Sequence, residues 1–260
     1  MTPTRLIKRS IIRLSTENKG ENVKEFLQGL ITNDITQELP IYAALLTAQG
    51  KTLFDFIVWE EANDILIDCE ADYAEDLVKR LSMYRLRRPI EIIVDETLFV
   101  HWSKERYSHS IEDPRNVGLG YRWLSPKFEN KESADQSWLA HRLSLGVPEG
   151  KAELENVLWL ETNAIELNGV SFEKGCYIGQ ENTARMKLKE KLRRRLLPIS
   201  SNEKLNLGEE IFYNKNKIGK ILIEQPYPFG LLKVIDPNIK EFENKELLAN
   251  NKKCRILKSV

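Results

Sequence analysis

The stretch "KGCYIGQENTAR", Lys174 to Arg185, places one cysteine between two glycines and follows it with an adjacent Gln-Glu pair. Glycine permits positive φ and close backbone approach, so Gly175 and Gly179 predict a tight corner around Cys176. A helix that begins near Gly179 puts the sulfur just before a helix N-terminus and beside Lys174, and both features favour the thiolate. Cys176 is therefore a candidate nucleophile or metal ligand, with a small buried side chain as the alternative.

The other chemistry-bearing residues limit what this thiol can do. A nucleophile needs a base, normally histidine, and the three histidines of the chain lie in unremarkable settings. An iron-sulfur cluster usually takes four thiolates, but Cys69 and Cys254 lie in apolar segments typical of packed side chains. Any cluster on Cys176 would have to be shared with a partner protein.

Gln180 and Glu181 offer an amide and a carboxylate side by side. A carboxylate that faces N–H donors is the usual way to bind a guanidine-like edge, such as the aminopyrimidine part of a pterin. The alternative is a solvated helix start, where the macrodipole favours glutamate in any case.

Composition excludes some classes of function. The 260 residues contain 39 Lys plus Arg and 39 Asp plus Glu, so no overall field draws the chain to nucleic acid or to an anionic membrane. The basic run from Lys187 to Arg195 is a candidate anion site or a solvated face. The length predicts two or more packed units.

Cysteine usage and the N-terminus bear on the compartment. Three widely spaced cysteines without a CxxC pair argue for a reducing environment. Residues 1–16 are rich in Lys and Arg and contain no acid, which is typical of an organelle transit peptide, but "LIKRSIIRLS" has the β-branched pattern of a first strand. No apolar run is long enough for a membrane span. We therefore expect a cytoplasmic protein with no membrane partner.

Periodicity predicts a mixed α and β chain. Asn22 caps an amphipathic helix, and residues 41–47 and 52–59 form a hairpin that turns at Gly50. A strand at 64–69, a helix at 71–85 and strands at 90–95 and 98–102 follow. The fold class is thus α+β without a regular βαβ alternation, and no GxGxxG motif supports a nucleotide cofactor.

The remainder of the chain changes character twice. Residues 103–131 are rich in loop signals, and a helical pattern returns over 134–145 and ends at Gly146. From Arg194 onward, short apolar runs alternate with Asn, Gly and Pro, which predicts a small antiparallel barrel or sandwich.

The motif "KGCYIGQE" followed by "TAR" resembles the signature of the YgfZ family, folate-binding relatives of the glycine-cleavage T-protein that support iron-sulfur cluster assembly. Four further blocks resemble that family in the same order, and the resemblance covers about residues 9–197. These blocks are "FLQGLITNDI" (26–35), "LLTAQGKTLFDFIV" (45–58), "DPRNVGLGYR" (113–122) and "RLSLGVPEG" (142–150).

The resemblance implies a three-domain, ring-like GcvT/YgfZ architecture that binds tetrahydrofolate or a derivative. Residues 1–190 would form the folate-binding region as two intertwined α+β subdomains, and residues 191–260 a C-terminal β-barrel. The Cys176 loop would lie at the mouth of the folate pocket. The cofactor-binding residues so implied or selected are Asn33, Asp55, Arg122, Glu161, Gln180, Glu181 and Arg185, with Arg115 as a further candidate for the glutamate tail.

Two departures distinguish the chain from true aminomethyltransferases. Phe54 replaces one acid of their paired aspartates, and "HRLS" at 141–144 replaces their "LRLE". Transfer of a one-carbon unit needs a carboxylate near the reacting nitrogens, so these losses disfavour turnover, although Asp55 remains.

We therefore expect a folate-binding accessory factor for iron-sulfur cluster assembly or repair, with iron-sulfur carriers or client proteins as partners. Cys176, Asp55 and Lys174 are the candidate reactive residues; Cys176 would ligate a transient shared cluster, and Lys174 would lower the pKa of its thiol. A folate-dependent aminomethyltransferase is the alternative function.

Overall fold

Two antiparallel sheets and a closed barrel account for the strands of the computed structural model, which describes residues 3–126, 132–188, 192–224, 226–233, 242 and 245–257. The strands are β1 Arg9–Ser15, β2 Ile41–Leu46, β3 Thr52–Glu61, β4 Asp64–Glu70, β5 Glu91–Asp95, β6 Phe99–Ser103, β7 Ile111–Glu112, β8 Tyr121–Ser125, β9 Arg194–Ser201, β10 Glu210–Tyr213, β11 Asn216–Ile223, β12 Phe229–Lys233, β13 Leu247–Ala249 and β14 Lys252–Ile256. The helices are α1 Val23–Gln28, α2 Ala74–Arg85, α3 Asp135–Ser144, α4 Lys151–Leu154 and α5 Gln180–Leu188.

The larger sheet has the strand order β2-β3-β4-β1-β5 and lies between two hydrophobic cores. Alternate residues of β2 point to opposite faces, so Tyr42 and Ala44 join one core and Ala43 and Leu45 join the other. This explains why β2 is buried along its whole length. The predicted hairpin is confirmed, with Gly50 at φ 78° in the β2–β3 turn.

Helices α1 and α2 cover one face of this sheet through apolar side chains such as Phe26, Leu77 and Leu81. The predicted cap is confirmed, since Asn22 accepts a hydrogen bond from the Glu25 backbone N–H. The predicted helix at 71–85 begins as a 3₁₀ turn at Ala71–Tyr73 and continues as α2.

The opposite face packs against the smaller sheet, ordered β6-β8-β7, and against α3. Strands β7 and β8 lie within the region predicted to be loop-rich, so that prediction is wrong for Tyr121–Ser125. The turn signals "EDPRN" and "SPKFEN" lie on either side of Tyr121–Ser125, whereas "YRWLS" itself contains strand-favouring Tyr and Trp and pairs with β6.

The C-terminal strands close into a six-stranded antiparallel barrel in the order β10-β11-β12-β9-β14-β13. Its interior is apolar and includes Leu197, Ile211, Ile221 and Leu247. The barrel confirms one of the two predicted architectures, and its first strand begins at Arg194. Within the described ranges, no helix combines the length and the apolar composition needed to cross a bilayer.

Candidate functional site

The Cys176 loop is anchored on its N-terminal side by Lys174. The Lys174 ammonium is 8% exposed and donates hydrogen bonds to the backbone carbonyls of Ile31 (2.7 Å) and Asn33 (3.0 Å). Burial lowers the pKa of Lys174 to about 8. The sequence predicted that Lys174 would act on the thiol, but the structure directs its ammonium to these two carbonyls.

The C-terminal side of the loop is anchored by close backbone approach. Gly179 has φ 84°, and a Cβ atom there would lie 2.5 Å from the carbonyl oxygen of Thr47. Asn182, in the first turn of α5, donates to the carbonyl of Gln49 (2.8 Å) in the β2–β3 turn. Gly175 has open space around it, so the prediction of a tight corner is confirmed at Gly179 and wrong at Gly175.

Between these anchors the side chain of Cys176 is exposed to solvent, four residues before α5 begins. The other two cysteines are each 2% exposed. Burial raises the pKa of the Cys69 thiol to about 12 and that of Cys254 to about 11, which keeps both protonated at neutral pH. Cys176 is thus the accessible thiol of the described chain.

The predicted folate residues around this loop differ in what they contact. The Asn33 side-chain amide donates to the carbonyls of Tyr42 (2.9 Å) and Asn168 (2.7 Å), so it holds backbone segments together. Gln180 accepts a hydrogen bond from the Tyr177 N–H (3.3 Å). Glu181 and Arg185 are exposed on α5.

Glu161 and the basic run lie at the contact between the 3₁₀ turn at Trp159–Thr162 and the barrel. The buried Glu161 carboxylate accepts two hydrogen bonds from Arg194, at 2.9 and 3.1 Å. Arg195 pairs with Glu166. Residues 189–191 of the basic run lie outside the described residues, and Arg194 and Arg195 are engaged with acids and not free to bind an anion.

Arg115 and Arg122 occupy the interior, which contradicts their predicted role with a folate tail. Arg122 is 0% exposed and donates to Asp68 (2.7 Å) and Asp113 (2.8 Å). Arg115 donates to both oxygens of Asp113 and to Glu149 (2.6 Å). Their guanidinium donors are therefore committed to buried carboxylates and unavailable to a ligand at the surface.

These two arginines belong to an inner charge network that joins the larger sheet, β8 and the segment after α3. It contains four guanidinium groups and five carboxyl groups, so it has one more acid than base. Its members are Arg9, Asp55, Asp68, Asp113, Arg115, Arg122, Arg142, Glu149 and Glu153.

Among the five acids of the network, Asp55 is the one whose ionised form is disfavoured. Its carboxyl group accepts from the Gly150 N–H (3.0 Å) and the Tyr42 hydroxyl (3.1 Å), with no guanidinium in direct contact within the described chain. Burial, and next the negative charge of Glu149, raise the pKa of Asp55 to about 6, although Arg9 and Arg115 lower it.

Asp55→Asn is expected to stabilise the protein at pH 7.5 and to have little effect near pH 4.5. The folded state binds the Asp55 proton more tightly than the unfolded state, so stability falls as the pH rises from about 4 to about 6. Above that window the ionised group costs up to about 3 kcal/mol, which the neutral amide avoids. Urea unfolding at the two pH values measures the difference.

Asp95 is the matched control because its pKa is shifted in the opposite direction. Burial alone would raise that pKa, but hydrogen bonds from Thr97 and Arg13 bring it below the ordinary value. Asp95→Asn should therefore destabilise the protein at pH 7.5. A loss of stability in Asp55→Asn at pH 7.5 would contradict the assignment of the surplus charge to Asp55.

A cavity of about 370 Å³ lies where the larger sheet, α3, α4 and the barrel meet. Trp138, Arg142 and Glu149 contribute to its wall, together with Leu222 of β11. The Arg142 Nε atom is buried and has no hydrogen-bond partner among the described residues. Cys176 is not among the described residues that line this cavity.

Sequence reasoning missed the cavity and most of the inner charge network. Asp68 in "ILIDCE" and Arg122 in "GYRWL" are charged residues within apolar strand patterns, and this was the available signal. Charged residues are almost never fully buried unless they are paired, so each implied a distant partner of opposite sign.

No family model matches the chain. The chain is similar to two relatives named iron-sulfur cluster assembly factor IBA57, mitochondrial. It is 32% identical to the one from Mus musculus over 237 residues and 33% identical to the one from Homo sapiens over 236 residues. Each match covers 75% of this chain and 65% of the relative. The Neurospora crassa homolog is 31% identical over 234 residues and is covered over 52% of its length. The chain thus spans less than two thirds of these relatives.

The expected cytoplasmic location is wrong, because the names of these relatives place them in mitochondria. The expectation rested on free cysteines, which indicate a reducing environment but do not distinguish between reducing compartments. The predicted first strand is nevertheless present as β1.

Among solved structures, the glycine cleavage system aminomethyltransferase T from Bartonella henselae matches with a TM-score of 0.71, over 98% of this chain and 84% of that one. The sequence identity is 14%, so this match shows the fold. The chain therefore has the α+β fold of aminomethyltransferase T with a closed C-terminal barrel, and its sequence is similar to iron-sulfur cluster assembly factors.

Proposed function

We propose that the chain is an accessory factor for iron-sulfur cluster assembly or repair and that it holds or passes a cluster through Cys176. The observation that carries this proposal is the exposed Cys176 thiol on a loop anchored at both ends, in a chain whose other cysteines are buried. Sequence similarity to iron-sulfur cluster assembly factors supports it.

The proposal requires a partner that supplies further ligands. Within the described ranges, no group of three or more His, Cys, Asp and Glu side chains is arranged to hold a metal ion. Iron-sulfur clusters are normally held by several thiolates, so a cluster on Cys176 would bridge two proteins. The partner would be an iron-sulfur carrier or a client protein that presents its own cysteines.

Cys176→Ser is expected to reduce the support of iron-sulfur enzymes strongly without loss of stability. The exchange of sulfur for oxygen removes a soft ligand but preserves size, and the exposed site makes few packing contacts. In cells that lack the endogenous protein, we expect the activity of a [4Fe–4S] enzyme to be about tenfold lower with Cys176→Ser than with the wild type.

Cys254→Ser is the control, since Cys254 is buried in the barrel. It should reduce thermal stability and leave the specific support per folded protein unchanged. Equal enzyme activity with Cys176→Ser and with the wild type would refute the role of this thiol.

We infer tetrahydrofolate binding in the 370 Å³ cavity as a second candidate function. Ligand pockets are about 300–1,000 Å³ and combine apolar walls with a few polar groups. Trp138 and Leu222 supply the apolar wall and Lys8, Arg9 and Glu149 the charged groups, a lining that suits a flat heterocycle with polar edges. The cofactor residues selected from the sequence are not among the described residues that line this cavity.

Isothermal titration calorimetry with tetrahydrofolate tests this candidate. Cys176→Ser is the control, because the Cys176 thiol lies outside the cavity. Binding that persists in Cys176→Ser and is lost in Trp138→Ala would place folate in the cavity. The aminomethyltransferase alternative adds turnover of an aminomethyl-lipoyl carrier. Asp55 would be its candidate carboxylate, since it accepts a hydrogen bond from Gly150 of the cavity wall. Absence of turnover with bound folate would leave the accessory role alone.

A further inference from the structure

We propose that Lys174 is a positioning residue whose ammonium fixes Gly175 and Cys176 against the segment Ile31–Asn33, so that the thiol is presented at one place on the surface. This proposal rests on the proposed function only in taking Cys176 as the functional group. The role differs from the one that the motif predicts, in which the charge of Lys174 acts on the sulfur.

The two hydrogen bonds of Lys174 satisfy buried backbone carbonyl groups. Ile31 and Asn33 lie where the chain leaves α1, and Ile31 joins the sheet only through an isolated bridge with Leu45. Both residues are buried, and a buried carbonyl needs a donor. Lys174 supplies donors to both from more than 140 positions away in the sequence.

Because the Lys174 ammonium is buried, these two hydrogen bonds are needed to stabilise its charge. A buried ammonium is costly unless its donors are satisfied. In the described part of the chain the Lys174 ammonium donates to two carbonyls and to no carboxylate, although the charge of Asp34 acts on it. The two carbonyls, and the Tyr177 ring with its centroid 5.1 Å from Nζ, are therefore the groups that hold the ammonium.

The thiol lies on a short bridge between two fixed points. Gly175 and Cys176 are exposed, Lys174 is buried before them, and Tyr177 and Gly179 are buried after them. A bridge of two residues with both ends fixed has few conformations available, so the sulfur is held in place by its neighbours. Release of the Lys174 end would free the thiol to move while leaving it exposed.

Hydrogen exchange measured by mass spectrometry on the loop peptide tests the proposal in the full chain. Lys174→Met keeps the length of the side chain but removes its donors, and we expect the hydrogen-bonded amides of Tyr177 and Gln180 to exchange about tenfold faster or more. Lys79→Met, on the exposed face of α2, is the control and should leave the loop unchanged. Unchanged loop exchange in Lys174→Met would overturn the proposal.

Alkylation by iodoacetamide separates positioning from an electrostatic effect on the sulfur. If Lys174 positions the loop, the pH midpoint of alkylation is the same in wild type and in Lys174→Met. If its charge acts on the thiol instead, the midpoint rises in Lys174→Met, and this outcome also overturns the proposal. Neither measurement depends on clusters, so the proposed function can fail while this inference stands.

Lys174→Gln is the second variant should Lys174→Met fail to fold, because its amide keeps a donor on a shorter side chain. This donor does not reach both carbonyls, so we expect loop exchange about threefold faster than in the wild type. Exchange equal to that of the wild type would overturn the proposal.

Discussion

Arg122→Met is expected to lower the free energy of unfolding by about 3–5 kcal/mol. The Arg122 guanidinium is fully buried, donates to Asp68 and Asp113, and lies 4.5 Å from the centroid of the Trp138 ring. Methionine fills much of the volume but leaves two buried carboxylates with one cationic partner fewer, and uncompensated buried charge is the costly outcome. Urea unfolding at pH 7.5, with the slope checked for two-state behaviour, measures the loss.

Arg88→Met is the matched control for this prediction. Arg88 also donates two hydrogen bonds to one acid, Glu21, but its side chain is 34% exposed. Water screens such a pair, so its loss should cost about 1 kcal/mol or less. If Arg122 were a ligand for a folate tail, its replacement would weaken folate binding and leave the stability close to that of the wild type.

The inner charge network also shows where prediction from sequence stops. Arg9 and Asp68 are 59 positions apart and Arg122 and Asp68 are 54 positions apart, yet each pair is in direct contact. Local patterns report which face of a strand is buried, but they do not report which charges meet across strands and domains. Arg115 and Arg122 were therefore assigned to a ligand when their partners were buried acids.

Elements whose cause is local were predictable. The β2–β3 hairpin follows from two β-rich runs around Gly50, and α1 begins where Asn22 can accept from Glu25. The short strand β8 is hidden by the turn signals on either side of it, although "YRWLS" favours a strand and pairs with β6. The same division applies to the site: the accessible thiol was found from its motif, whereas the cavity depends on three distant parts of the chain meeting.

Gly179→Ala is expected to lower the free energy of unfolding by about 2–4 kcal/mol. The residue has φ 84°, a conformation that disfavours a side chain, and the added Cβ would lie 2.5 Å from the Thr47 carbonyl oxygen and 3.2 Å from the Gly50 Cα. Both contacts are with backbone in the β2–β3 turn, so neither neighbour can rotate away. The start of α5 would have to move off the hairpin, and the Cys176 loop with it.

Gly175→Ala separates this effect from a general sensitivity of the motif. Gly175 precedes the same cysteine, but nothing lies within 4 Å of the position a Cβ would take, and its φ is outside the strained positive range. Alanine there should change stability by about 0.5 kcal/mol or less, and it restricts the unfolded chain slightly. Thermal unfolding of both variants measures the difference. Equal losses of stability in Gly175→Ala and Gly179→Ala would mean that the loop tolerates no side chain on either side of the thiol. The contact of Gly179 with the hairpin would then not be what anchors the loop.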